Sequence, residues 1–152
     1  MSSSGKIGTH TYSVEQDTLY IVNHGPFDAE EACSFLAIYQ QVYDRHDYLL
    51  IMLDLRDSGP ASPEARRALV DWAKTRANTV ALAAISGSTV ARTTLTLIFS
   101  AMRVLSRQVP QLGFFATEAE ARDWLVRQRP RLRSHAKHQG RLEPSGTGSV
   151  NR

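Results

Sequence analysis

The sequence predicts a single α/β domain whose mostly parallel five-stranded sheet is covered by helices and carries an antiparallel strand. Three observations lead there. Two apolar runs without polar alternation, residues 48–55 and 79–85, read as parallel strands buried on both faces. Each is followed by a cap-like turn and a segment with helical apolar spacing. Residues 9–24, "THTYSVEQDTLYIVNH", alternate apolar and polar on either side of Gln16-Asp17, the pattern of a hairpin.

The element order is β-β-α-β-α-β-α-β-α. Gly25-Pro26-Phe27-Asp28 breaks the hairpin's second strand, and Asp28 with Glu31 forms a capping box. Behind it Ala32, Phe35, Leu36, Tyr39 and Tyr43 lie on one helix face. After the strand at 48–55, Ser62-Pro63-Glu64 opens a second helix. Ser is its cap, Pro stands at the first position and Glu lies near the positive end of the dipole. Ala65, Leu69, Trp72 and Ala73 form its inward stripe. The strand "TVALAAI" leads through Ser86-Gly87-Ser88-Thr89 into a helix at about 89–108 that stops before Pro110. "LGFFA" is the fifth strand, and Thr117 to Glu120 cap a last helix whose apolar face is Ala121, Trp124 and Leu125. Alternation of strands and helices implies crossovers and a parallel sheet.

Residues 1–8 read as a flexible N-terminus, 9–129 as the domain and 130–152 as a basic, disordered tail. The tail holds five basic residues against Glu143, so the net charge of +3 resides there and the body is close to neutral. A segment this poor in apolar groups cannot offset its ordering entropy. Its charges have no aromatic groups among them on which bases could stack, so nucleic acid is not the expected partner. No run reaches the roughly 20 apolar residues needed to span a bilayer, and the first residues lack a secretory pattern. With Cys33 alone there is no internal disulfide. These features point to the cytoplasm.

The third helix is apolar around much of its circumference. At about 100° per residue, Val90, Thr94, Leu97, Ile98, Ala101, Val104 and Leu105 form the face expected to meet the sheet. Leu95, Phe99 and Met102 then fall outside it, an exposed apolar cluster of the kind that marks an interaction surface. A partner protein, a second copy of the chain, or a lipid or other small apolar ligand would cover it, unless the last helix does so within the monomer.

Polar candidates collect where strands end. Asp54, Asp57, Ser58 and Ser62 should gather beyond the carboxyl ends of the parallel strands, where such sheets bind ligands. Two carboxylates alone do not make a metal site, and no base lies near a Ser nucleophile in the chain. Ser62 as a helix cap is the simpler reading. Ser86, Gly87, Ser88 and Thr89, with Arg92 one turn on, could cradle an anion at a helix start. The Gly and Lys of a P-loop are absent. No catalytic set, metal set or cofactor motif can be assembled.

The element order, "LIMLDLRD" in the third strand and "GFFATEAEARDWL" near the end resemble the STAS superfamily. The resembling branch comprises STAS-like bacterial domains related to anti-anti-sigma factors and to CRAL-TRIO lipid-binding domains. The resemblance covers residues 9–129. It implies a regulatory or scaffold domain that binds proteins without catalysis, and, through the CRAL-TRIO likeness, a carrier of an apolar ligand as the alternative. Anti-anti-sigma factors are switched by phosphorylation of a Ser in an Asp-Ser-Ser-Gly stretch after the third strand. Here the region reads "RDSGPASPEA", which lacks that stretch; Ser62, and then Ser58, are the candidate positions.

Overall fold

The computed structural model describes residues 2–86, 88–106 and 108–141. Strands β1 (Ser3–Ile7), β2 (His10–Glu15), β3 (Thr18–Phe27), β4 (Leu49–Ala61), β5 (Val80–Ile85) and β6 (Gln111–Phe115) form one mixed sheet in chain order. The pairs β1–β2 and β2–β3 are antiparallel, and β3–β4, β4–β5 and β5–β6 are parallel. Helices α1 (Ala29–His46), α2 (Pro63–Ala73), α3 (Thr89–Leu105) and α4 (Glu118–Arg141) complete the α/β domain. A 3-10 turn at Ala77–Thr79 precedes β5.

The sheet has six strands where five were expected, because residues 3–7 are a strand and not a flexible end. This strand was missed because it is an edge: its polar Ser-Ser-Gly-Lys carries almost no apolar signal, and polar, charged edges resist further pairing. Gly8, at φ +60°, sets the two-residue turn into β2, and a side chain there would collide with the Glu31 carboxylate.

Alternation from Tyr48 into β4 divides the core. Leu49, Ile51, Leu53 and Leu55 point to a cluster shared with α1, α2 and α3; Tyr48, Leu50 and Met52 point to one shared with α4. Caps match the sequence reading. Asp28 accepts from Glu31 N–H at 2.8 Å while Glu31 Oε1 accepts from Asp28 N–H at 3.0 Å. Ser62 Oγ accepts from Ala65 N–H at 3.1 Å, with Pro63 at the first helical position.

α4 overturns the expected boundary at 129. It passes through Pro130 and reaches Arg141, so residues 130–141 are helical; residues 142–152 of the expected tail lie outside the described residues. Pro removes one hydrogen bond from a helix interior, at a cost of about 3 kcal/mol. Two features offset that loss. Leu132 is fully buried under the sheet. Beside it Asp17, only 3% exposed, receives Arg129 Nε at 2.6 Å, Arg129 Nη2 at 2.9 Å and the Tyr48 hydroxyl at 2.6 Å. Arg133 Nε donates to the same Tyr48 hydroxyl at 3.2 Å. Burial alone would raise the Asp17 carboxyl, but Arg129 and the hydroxyls of Tyr48 and Thr18 outweigh it and hold it below its ordinary value.

Candidate functional site

α3 begins at Ser88, whose Oγ accepts from Ala91 N–H at 3.2 Å. Its buried residues are Ala91, Leu95, Ile98, Phe99 and Met102. This reverses the expected surface: Leu95, Phe99 and Met102, assigned outward from the sequence, face the core, and Phe99 is only 9% exposed. The reason is area. Both faces are apolar, but the seated one brings the aromatic Phe99 and the long Met102 into the core with Leu95, whereas the rival face offers Val90, Leu97, Val104 and Leu105 with the smaller Thr94 and Ala101; burial contributes about 25 cal/mol per Å². Small Ala91 lets the first turn approach the sheet.

The rival face is left outside. Val90, Leu97, Val104 and Leu105 are 51%, 52%, 85% and 62% exposed. They make four of the five large apolar side chains that stand exposed among the described residues. Val90, Leu97 and Val104 recur every seven residues with Thr94 and Ala101 between them, the spacing of a helix–helix seam. α4 packs on the opposite side of the sheet and leaves this stripe open. Beside the stripe, Leu97, Ile98, Ala101 and Leu105 meet Val70, Arg66 and Arg67 of α2 around a groove of about 360 Å³. An apolar surface on α3 is therefore present, with other residues than the spacing suggested. The signal for the right face was the bulk of the side chains, which counting positions ignores.

The segment expected as a turn after the strand at 48–55 is instead the continuation of β4 to Ala61, paired with β3 through two register shifts. Its charges are satisfied locally. Arg56 donates its Nε at 3.0 Å and Nη2 at 2.6 Å to Asp54. Those bonds hold the Asp54 carboxyl below its ordinary value. Asp57 Oδ2 lies 2.9 Å from His24 Nδ1. No group of three or more His, Cys, Asp or Glu is placed to hold a metal among the described residues. Ser58 Oγ reaches only its neighbour's carbonyl, Gly59 O, at 3.3 Å, and Ser62 is occupied as a cap.

Of the proposed anion cradle, Gly87 lies outside the described residues, Ser88 caps α3, and the Arg92 guanidinium lies over the Phe114 ring at 4.9 Å. No helix of the described residues is long and apolar enough to cross a membrane.

Two adjoining cavities lie between α3 and the sheet. One, of about 60 Å³, extends to the carboxyl ends of β3 and β4; the other, of about 70 Å³, runs beneath Trp72, Phe99 and Met102. Sequence reasoning found neither, because voids depend on how helices seat and leave no residue pattern.

Together the sheet order and helix layers define a SpoIIAA-like STAS fold. The chain is similar to an uncharacterised protein of the DUF3478 family with a SpoIIAA-like fold from Shewanella loihica, at 17% identity and a TM-score of 0.52, covering 82% of this chain and 93% of that one. It is also similar to the anti-sigma factor antagonist SpoIIAA in its unphosphorylated form, at 14% identity and a TM-score of 0.50, covering 83% and 98%. No family model matches the sequence, and no curated protein does.

Proposed function

We propose that the protein is a non-enzymatic regulatory interaction domain acting in the cytoplasm, which engages another protein or a second copy of itself through the outward face of α3. The carrying observation is the seam of Val90, Leu97 and Val104, with Leu105, next to the groove against α2. Four large apolar groups left half or more exposed on one helix forgo part of the roughly 1.5–3 kcal/mol that full burial of each would contribute, and clustering of this kind marks contact surfaces. The likeness to an anti-sigma factor antagonist supports the regulatory reading. For the self-associating form, light scattering of the wild type at high concentration should give twice the 16.9 kDa chain mass. Leu97→Asp should return it to one chain with unchanged circular dichroism. A wild type that stays monomeric contradicts self-association.

Ser62 is the position where a phosphate could regulate that binding. A phosphate there would lie at the positive end of the α2 dipole, one turn before Arg66 on the groove. Incubation with cell extract and ATP followed by mass spectrometry should find phosphate on Ser62 or Ser58; unmodified peptides would contradict a switch.

Carriage of a lipid is the second reading, favoured by the cavities beneath α3. Each is smaller than the cavity of about 150 Å³ that accommodates benzene, so an acyl chain requires α3 to lift from the sheet. A lipid that co-purifies in native mass spectrometry would support this reading, and protein free of it would count against it.

A further inference from the structure

The two cavities beneath α3 share Tyr39, Leu53, Leu69, Leu95 and Ile98 as walls, so they adjoin across the middle of the helix. Their surfaces are mainly apolar, and among the described residues no Lys, Arg, His, Asp or Glu lines either one. Polar groups gather mainly at one end. There Asn23, Ser58 and Thr94 line the wall, and the buried Asn23 Oδ1 has no hydrogen-bond partner among the described residues. That end is also the accessible one, since Ser58, Gly59 and Ala61 on its rim are half-exposed. It lies at the carboxyl ends of parallel strands, where open sheets place ligands.

From this geometry we infer a binding site for a neutral, single-ring-sized apolar molecule that carries one hydrogen-bond donor, such as a phenol or a small cyclic alcohol. Size selects it, because the two adjoining voids, about 60 and 70 Å³, together approach the roughly 150 Å³ that accommodates benzene and exclude a lipid chain while α3 is seated. Charge selects it as well, because no cation among the described residues lines the walls to receive a carboxylate or phosphate. The orphan carbonyl oxygen of Asn23 selects a donor: leaving such an acceptor unmet in the interior is costly, and a ligand hydroxyl removes that cost while its ring fills the apolar end. A single water could meet Asn23, but it would leave the second cavity empty. This site faces inward and is independent of the outward seam of α3, so either can fail without the other.

The test uses the full chain with labelled Leu and Ile methyls and titrates phenol, cyclohexanol and benzene. Expected are saturable shifts at Leu53, Leu95 and Ile98, with phenol binding roughly ten-fold tighter than benzene, which has no donor for Asn23. Asn23→Leu should erase that preference, and Thr94→Val should leave most of it. The comparison of phenol with benzene on the wild type needs no variant to fold. Absence of shifts at the three methyls, equal affinity for phenol and benzene, or shifts confined to exposed Leu97 would each overturn the assignment. Light scattering with phenol bound should give an unchanged mass, which separates this site from the association surface.

Discussion

The two faces of the sheet are closed by helices of opposite character. α4 is strongly polar yet held tightly: Leu132, Leu125 and Ala121 fill the space under β4 and β5, and Asp17 fastens the helix through Arg129. α3 is far more apolar, yet it covers its face incompletely, with two cavities inside it and a row of Val and Leu outside. Apolar content therefore does not measure how well a helix is seated. One buried ion pair with its hydrogen bonds satisfied, and one Leu in the right place, do more for α4 than surplus greasiness does for α3. The surplus is the apolar surface that α3 leaves exposed.

Substitutions can break this contrast. The largest effect is expected at Phe99, where Asp puts an unpaired charge into the core; Phe99→Asp should prevent folding, seen as loss of the cooperative urea transition. Leu97→Asp, two residues away, should unfold in urea close to the wild type. Next come Leu132→Ala, about 3 kcal/mol, and Arg129→Ala, also about 3 kcal/mol because Asp17 is left buried and unpaired while Arg129 itself is partly exposed. Both should also raise amide exchange beyond Pro130. Leu97→Ala should cost under about 0.5 kcal/mol.

Acid sharpens the same contrast. A carboxyl held below its ordinary value contributes stability that is complete above about pH 4, the unfolded value, and is lost as pH falls through the lowered folded value. Stability should therefore drop at acid pH in the wild type. Asp17→Asn should be less stable at neutral pH and should lose part of that drop, which urea midpoints from pH 6 to pH 2 would show.

Much of the fold was legible because local rules and tertiary packing agree. The buried strands at 49–55 and 80–85, the Asp28 capping box and the Ser62-Pro63 start all follow from short-range chemistry. Errors arose where long-range contacts decide. β1 is set by its pairing with β2, which no pattern in Ser3-Ser4-Gly5-Lys6 encodes. Arg133 looked like part of a solvated basic tail until Tyr48, more than 80 residues earlier, supplied its partner, and nothing near Arg129 in the chain pointed to Asp17. On α3 the spacing identified excess apolar surface but could not say which side would be buried, since both sides satisfy the same periodicity. The site was thus legible as a helix and illegible as a set of residues.

Amide exchange of the wild type at low and high protein concentration tests the contrast most directly. At low concentration the amides of 95–102 in α3 should exchange at least roughly ten-fold faster than those of 121–132 in α4, a difference of about 1.4 kcal/mol in opening free energy. At high concentration only the α3 amides should slow as the seam becomes covered. Equal protection of the two helices, unchanged by concentration, would contradict a loosely seated helix that works by being covered.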